Sequence, residues 1–227
     1  MAKYLLLYND VDTFESEQNS VDYVNSIVPG VGYVREDQGV RYNRKKGPVL
    51  RYTLSTYQAN EDFYEPDLEN IYEVSVDGVT VDGYPYTIAE EGTHTIEVEL
   101  VEGTTELVTI NSAGITGAMD IYVPEGITEV KGGFTGVGTG SGMLGKLHLP
   151  STLQSIGGPY DAAFTSYYGG PDEITCLATI APTINVPQTE FLGFEQQGTL
   201  YYPAGSDYSS WLEQLNTSYR TWTGVEI

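Results

Sequence analysis

Few residues in this sequence are suited to catalysis. Its 227 residues include two histidines, His94 and His148, and a single cysteine, Cys176. His148 lies between Leu147 and Leu149 in an alternating segment, so its side chain is predicted to point outward. His94 is predicted to open another strand, where its polar tip reaches water. Neither histidine has a visible neighbour that would orient its ring, so we predict no catalytic triad.

Carboxylates are plentiful, with 32 aspartates and glutamates, so their number alone is compatible with a glycosidase pair. None of them lies in an apolar run that would raise its pKa as a general acid requires. The lone Cys176 can form neither an intrachain disulfide nor a multi-cysteine metal site. We therefore predict a protein that is not an enzyme, without catalytic residues, cofactor or metal ion.

A glycine-rich segment, Gly140-Ser-Gly-Met-Leu-Gly-Lys146, nearly matches a phosphate-binding loop. Such a loop needs a helix directly after it, so that backbone amides and the helix dipole point at the phosphate. The residues that follow, Leu147-His-Leu-Pro150, are typical of a strand. We interpret the segment as an insertion loop and not as a nucleotide site.

The net charge is −22 and unevenly distributed. Residues 1–51 hold seven basic and seven acidic side chains, whereas residues 52–227 hold three basic and 25 acidic ones. This charge argues against a nucleic acid or an anionic membrane as partner. It fits either solubility by self-repulsion or a neutral head that docks on a larger body.

The N-terminal region, residues 1–50, is predicted to be an anchoring module. Tyr4–Tyr8 is typical of a strand, Asp10–Asn25 could form a short helix, and Val31–Arg44 predicts a hairpin with Gly39 at its turn. About 50 residues bury too little surface to fold alone, so we expect a partner surface or self-association. The candidate anchoring cations are Arg41, Arg44, Lys45 and Lys46.

Residues 51–112 predict a small β-sandwich. Tyr72–Val76 alternates between apolar and polar residues, Asp77-Gly78 forms a turn, and His94–Leu100 alternates again. Period-two segments separated by Asp-Gly and Glu-Gly turns are typical of hairpins.

Residues 113–227 contain a repeat. The segments 120–132 and 146–158 match at an offset of 26, and pairs of apolar residues recur further on, at Ile174 with Cys176 and at Leu200 with Tyr202. A period of 26 to 27 residues falls within the range of leucine-rich repeats. Each coil would cover the exposed face of its neighbour, so no single repeat is stable alone.

The repeat resembles the BspA type of leucine-rich repeat. Val123-Pro-Glu-Gly-Ile-Thr-Glu-Val130 and Leu149-Pro-Ser-Thr-Leu-Gln-Ser-Ile-Gly157 are similar to its core pattern, and Leu200-Tyr-Tyr-Pro-Ala-Gly-Ser206 is similar to its terminal repeat. The resemblance implies a β-solenoid closed by a cap helix around Ser209–Leu215. The usual Ala-Phe element is reduced to Phe134 and Ala163-Phe164, with glycine-rich insertions around them.

A glycine- and proline-rich insertion with three tyrosines runs from Gly157 to Pro171. Tyrosines in loops of this kind combine contact area with a polar tip, which favours a recognition loop. The alternative is that tyrosine fills strands, for which it has a high propensity. The candidate recognition residues are Tyr160, Tyr167 and Tyr168.

The order of the regions resembles accessory virion proteins of crAss-like Bacteroides phages, here on Pro29–Asn43 and on Val76–Leu100. This resemblance implies a capsid decoration or head fibre protein, located in the virion and made in the host cytoplasm. The partners that it implies are a capsid or other virion protein, bound through the N-terminal module, and further copies of the chain. A host-surface glycan or protein is a further expected partner.

The alternative to a virion protein is a bacterial surface adhesin or glycan-binding repeat protein. That class predicts a secretion or sorting signal, and the apolar run at Tyr4–Tyr8 is too short for one. No segment of the sequence approaches transmembrane length, so no membrane insertion is expected. In sum, the sequence predicts a mainly β fold with an N-terminal docking module, a small β-sandwich and a short, capped leucine-rich-repeat-like β-solenoid.

Overall fold

The computed structural model describes residues 33–36, 39–42, 46–108 apart from 57, 65 and 67, 118–131, 145–157, 171–185, and 197–227 apart from 219. The chain divides into two compact units, Met1–Lys45 and Lys46–Ile227. The described residues are mainly β, as predicted. The predicted segments Tyr4–Tyr8 and Asp10–Asn25 lie outside them.

The first unit contains the predicted hairpin. Strand β1 (Tyr33–Glu36) pairs antiparallel with β2 (Gly39–Tyr42), with Tyr33 opposite Tyr42 and Glu36 opposite Gly39. Gly39 is the first residue of β2, and its pairing with Glu36 places it at the turn of the hairpin, as predicted.

The second unit begins with strands that alternate between buried and exposed residues. They are β3 (Lys46–Thr56), β4 (Glu61–Phe63), β5 (Ile71–Val76), β6 (Val79–Thr80), β7 (Tyr86–Ile88), β8 (Gly92–Val101) and β9 (Glu106–Val108). The predicted turn between β5 and β6 is confirmed: Asp77 and Gly78 have φ angles of 50° and 79°, the backbone that a tight hairpin requires. Ile96, Val98 and Leu100 on β8 are fully buried, in agreement with the alternation predicted for this strand.

The remaining strands alternate between two sheets up to β16, and a helix and a last strand follow. They are β10 (Ala118–Tyr122), β11 (Glu129–Lys131), β12 (Lys146–Leu149), β13 (Ser155–Ile156), β14 (Glu173–Cys176), β15 (Thr183–Ile184), β16 (Gln197–Tyr202), α1 (Ser209–Leu215) and β17 (Thr221–Glu226). The predicted helix at Ser209–Leu215 is confirmed. Strand β17, which pairs in parallel with β16, was not predicted.

Residues that the sequence repeat aligned lie opposite one another. Ile121 pairs with Leu147, Leu147 with Ile174, and Ile174 with Leu200, all in parallel strands. A second parallel ladder joins β9, β11, β13 and β15, and places Val130 opposite Ile156. These facing apolar residues form the core between the two ladders.

One nine-stranded sheet runs through the second unit, in the order β17-β16-β14-β12-β10-β3-β8-β5-β6. Strand β10 pairs antiparallel with β3, which places Ile121 opposite Tyr52. Of the strands predicted for a small sandwich, β5, β6 and β8 thus continue the sheet of the repeated strands, whereas β7 pairs with β4 in a separate two-stranded sheet. Strand β3 also crosses the predicted boundary at residues 50 and 51; the division at 50 and 112 stays a prediction.

The C-terminal helix covers the end of the core with aromatic side chains. Trp211 is buried, and its indole Nε1 donates to the carbonyl of Pro182 at 2.7 Å. The Tyr208 hydroxyl donates to the carbonyl of Ala178 at 2.7 Å and lies 3.1 Å from Cys176 Sγ. These bonds satisfy polar groups that burial would otherwise leave unpaired.

Candidate functional site

The solvent-facing side of the nine-stranded sheet carries a row of four residues from neighbouring strands. Tyr122, His148, Thr175 and Tyr201 lie opposite one another in β10, β12, β14 and β16. We call these four residues the outer row. Each follows an inward residue of the core, so alternation along the strand turns it outward. Tyr122 keeps 39% of its surface exposed, and the other three are half-buried.

Two rings of the outer row are stacked. The Tyr122 and His148 rings are nearly parallel, at 6°, with their centroids 4.1 Å apart. His148 therefore points outward, as predicted, but it is not free in solvent. Its Nε2 atom is buried and finds no hydrogen-bond partner in the described part of the chain. Burial lowers the pKa of His148, against the opposing charge of Glu173, which favours a neutral ring.

A second row of polar residues runs beside the first. Lys146 lies opposite Glu173, and Glu173 opposite Thr199. Asp120 directly precedes Ile121 and lies at the level of Lys146. We call Asp120, Lys146, Glu173 and Thr199 the polar row. The Lys146 ammonium lies 3.3 Å from Glu173, and this contact raises the lysine's pKa.

The described cations of the second unit are largely paired with carboxylates. Arg51, which lies opposite Tyr122, contacts Glu97 at 2.6 Å. Lys131 contacts Glu106 and Glu129 at 2.8 and 2.9 Å. The sequence of residues 46–227 holds five cations and 25 carboxylates, a net charge of −20. Pairing leaves this unit little positive charge with which to attract an anion.

The four predicted anchoring cations fall in different places. The ammonium of Lys46 lies 2.7 Å from Glu99 and 3.6 Å from Glu73 in the second unit. Arg41 belongs to β2, and its side chain lies outside the described part of the chain, as do Arg44 and Lys45. The structure describes the side chain of Lys46 alone among the four, and their anchoring role stays a prediction.

The predicted recognition tyrosines, Tyr160, Tyr167 and Tyr168, also lie outside the described residues. Sequence reasoning missed the outer row, although its signal was present. The repeat that aligned Ile121 with Leu147 also aligns Tyr122 with His148, one position further along each strand.

His94 belongs to a buried hydrogen-bonded network. This corrects two expectations, namely that its polar tip reaches water and that no neighbouring residue orients its ring. Its Nδ1 lies 2.7 Å from Asp77 Oδ2, and its Nε2 lies 3.1 Å from both Thr56 Oγ1 and the Glu90 carbonyl. The ring is 7% exposed. Strand pairing of Val76 with Ile96 brings the Asp77 turn next to His94.

The Asp77–His94–Thr56 connectivity matches that of a hydrolytic triad, but the hydroxyl is enclosed. Thr56 is 6% exposed. Its oxygen donates to the Glu90 carbonyl at 3.0 Å and accepts from the Gly92 amide at 3.1 Å. A nucleophile must reach a substrate carbonyl, and this geometry gives Thr56 no such access. The network ties together the ends of β3 and β8 and the Asp77 turn.

The glycine-rich segment leads into a strand. Strand β12 begins at Lys146, where a phosphate-binding loop would need a helix, which confirms the predicted strand. Within the described ranges, no three His, Cys, Asp or Glu side chains are grouped as metal ligands. No helix among these same residues has the length and apolar character to cross a membrane.

Comparison of the chain with protein family models, with curated proteins and with solved structures found no match.

Proposed function

We propose that the parallel ladders form a short β-solenoid of the BspA leucine-rich-repeat type. The support is the register: residues 26 or 27 apart in sequence lie opposite each other in β10, β12, β14 and β16. Each of the first three coils also contributes a strand, β11, β13 or β15, to the second ladder. Two parallel ladders around one core are what stacked coils produce.

Side-chain bonds between successive coils support the same interpretation. Glu125 Oε1 accepts from the Ser151 amide and Oε2 from the Ser151 hydroxyl, both at 2.9 Å. The Gly126 amide donates to the Thr152 hydroxyl, which donates to the Ile127 carbonyl. Residues 25 or 26 apart are thus joined at the same corner of consecutive coils.

The function that this architecture supports best is a non-enzymatic one: a phage virion accessory protein, as a capsid decoration or head fibre. In this proposal residues 1–50 attach to a capsid or other virion protein. The solenoid of residues 113–227, here called the array, turns the outer face of the nine-stranded sheet away from the particle. The observation that carries the proposal is the chain's organisation, a separate N-terminal unit followed by one continuous, capped β body. The sequence resemblance and the uneven charge add to it.

Mass spectrometry of purified particles tests this function directly. The chain is expected among the virion proteins at a stoichiometry that survives washing in high salt. Particles that lack it would contradict the proposal.

A deletion tests the anchoring claim separately. A chain without residues 1–45, which keeps β3 and the second unit whole, is expected to lose incorporation into particles. A matched pair of variants refines the test: Arg41→Ala with Arg44→Ala and Lys45→Ala should weaken incorporation. Lys131→Ala, which removes a cation of the array, should leave it unchanged. Unchanged incorporation of the deletion would refute anchoring by this region.

A surface adhesin of a bacterium is the second candidate, and the outer row favours it because exposed aromatic rings suit extracellular ligands. The two candidates differ in their genes, since an adhesin needs a secretion signal. A signal sequence encoded directly upstream of the chain would favour the adhesin.

A glycan hydrolysis screen tests the third class, an enzyme. Hydrolytic activity that one carboxylate substitution abolishes would establish that class.

A further inference from the structure

Strand β17 lies at one end of the nine-stranded sheet, with β16 on one side of it. In a parallel pair, alternate residues of a strand direct both their N–H and their C=O to the neighbouring strand. Ile227 does so, since it donates to the Tyr202 carbonyl and accepts from the Ala204 amide. The alternate residues that direct their backbone groups away from β16, to the edge of the sheet, are Trp222, Gly224 and Glu226.

The first of these three edge positions is closed by a side chain. The carboxamide of Asn216 accepts from the Trp222 amide at 2.7 Å and donates to the Trp222 carbonyl at 3.2 Å. Within the described part of the chain, no residue pairs with the backbone of Gly224 or Glu226 at the edge. The Glu226 carboxylate accepts from the Gly205 amide at 3.2 Å, in the turn that follows β16. An edge of two open residues therefore lies next to a closed position.

The two ends of the sheet differ in how they are protected from pairing with another chain. Strand β6, at the other end, has two residues, and so short an edge offers little for a further strand to pair with. Strand β17 has six residues in unbroken register with β16, and it contains neither proline nor lysine. An edge of this kind is a template for a further strand.

The charge near this edge favours a second copy of the chain as the source of that strand. Residues 214–225 contain one cation, Arg220, and no carboxylate. Two copies that each carry a net charge of −22 repel each other, and they do so least where both surfaces lack carboxylates. Contact between two β17 edges meets this condition, because the same segment lies on both sides.

We propose that two copies of the chain pair through β17, antiparallel, with Val225 of one copy opposite Val225 of the other. This register places Gly224 opposite Glu226 of the second copy, so that each open N–H meets an open carbonyl. The closed position at Trp222 is left undisturbed. Val225 and Ile227, which is 58% exposed, add apolar cross-strand contacts on the outer face of the sheet.

Pairing of this kind continues the sheet of one copy into the sheet of the other. The two-fold axis is perpendicular to the sheet, so both copies turn the outer row to the same side. The inference goes beyond the proposed function, to which it adds a contact between copies. It does not depend on attachment by the N-terminal region.

Disulfide trapping of the full chain tests the register. Residues directly opposite each other at a non-hydrogen-bonded position have Cα atoms about 4.5 Å apart, within reach of a disulfide. Val225→Cys, oxidised with copper–phenanthroline, should give a covalent dimer on a non-reducing denaturing gel. Thr221→Cys is the matched control, because Thr221 is exposed on the same face of β17 but lies outside the paired segment. It should run as a monomer, as should the unaltered chain, whose Cys176 is buried.

Sedimentation equilibrium measures the association itself. The unaltered chain, of 24.9 kDa, should form dimers as its concentration rises through the micromolar range. Val225→Lys and Val225→Glu should each lose the dimer, because like charges directly opposite each other are unfavourable. An equimolar mixture of the two variants should restore it, which would also show that both variants are folded. Thr175→Lys, on the same face but two strands away, should dimerise like the unaltered chain.

Three results would overturn the inference: monomers at every concentration, a dimer that both charged variants retain, or equal trapping of Thr221→Cys and Val225→Cys. A mixture of the two charged variants that stays monomeric would also contradict the pairing at Val225. Incorporation into particles is a separate measurement, so failure here leaves the anchoring proposal unaffected.

Discussion

At the scale of single residues, Asp77 has a second role besides forming a turn, since its carboxylate also holds the hairpin to β8. Its carboxylate accepts from the Thr95 amide at 2.8 Å and from His94 Nδ1 at 2.7 Å. Partial burial acts to raise the pKa of Asp77, but the hydrogen bonds from His94 and Thr95 outweigh it, and the net pKa is lowered. The ionised form is therefore the one that holds the hairpin to β8.

Asp77→Ala is expected to lower the free energy of unfolding by about 1–3 kcal/mol, because it leaves the His94 ring without its acceptor. Chemical denaturation at pH 7 measures the change. Asp82→Ala is the control: Asp82 precedes the next predicted Asp-Gly turn and is exposed, so its removal should change stability by less than about 0.5 kcal/mol. Equal effects of the two substitutions would contradict the role of the network.

His148 makes stability depend on pH in a defined direction. Burial holds its pKa below the usual value, so the unfolded chain binds a proton more readily than the folded chain. The contribution of a neutral His148 is complete above about pH 6.5 and declines as the pH falls below it. The loss between pH 7 and pH 5.5 should be smaller in His148→Gln than in the unaltered protein. A parallel pH dependence of the two proteins would show that His148 is not responsible.

At the scale of elements, the inward residues of the stacked strands hold the array together. Leu147 is fully buried between Ile121 and Ile174. Leu147→Ala should lower the free energy of unfolding by about 2–5 kcal/mol, through lost burial and the cavity that remains. Leu177→Ala is the matched control, because Leu177 is 44% exposed just after the next strand. Denaturant titration measures the free energy of unfolding of both variants. Similar effects of the two substitutions would contradict the packing of Leu147 between Ile121 and Ile174.

The contact between Glu125 and Ser151 is also testable. Hydrogen bonds from Ser151, the backbone amide first, lower the pKa of Glu125 against a weaker opposing effect of burial. Its stabilising contribution is therefore present above about pH 4.3 and lost as the pH falls through the lower pKa of the folded state. Glu125→Gln should cost about 1 kcal/mol at pH 7, because the carboxylate is exposed and screened. Glu69→Gln, at another exposed carboxylate, should have little effect; if the two variants unfold alike, the contact contributes nothing.

The sequence predicted the elements whose signals are local or periodic. Asp77-Gly78 predicted its turn, and the 26-residue repeat predicted which residues of β10 and β12 face each other. It did not predict β17, because Thr221–Glu226 matches no repeat and Gly224 interrupts its pattern. The position of this strand depends on a distant residue. A Cβ atom at Gly198 would lie 2.5 Å from the ring of Trp222, so only glycine leaves room for that ring. Contacts of this kind cannot be inferred from spacing.

The candidate site was predictable only in part. His148 was placed on the outer face by alternation, and the 26-residue repeat aligns it with Tyr122. The stacking of the two rings depends on their side-chain rotamers, which spacing does not give. The His94 network was missed for a related reason. Asp77 and His94 are brought together by pairing of β5 with β8, and neither residue signals the other in the sequence.

At the scale of the whole molecule, the second unit is an acidic body with one near-neutral face. Pairing of Arg51 and Lys146 with carboxylates leaves that face free of strong attraction to charged polymers. Self-repulsion of the remaining acidic surface favours solubility.

We propose that the N-terminal region attaches the protein to a particle and that the repeated strands face outward. Immunogold labelling of purified particles, intact and disrupted, tests it most directly. It uses one antibody against residues 1–45 and another against residues 197–227. The account predicts that the second antibody labels intact particles and that the first labels only disrupted ones. Labelling of intact particles by the first antibody alone, or by neither, would contradict it.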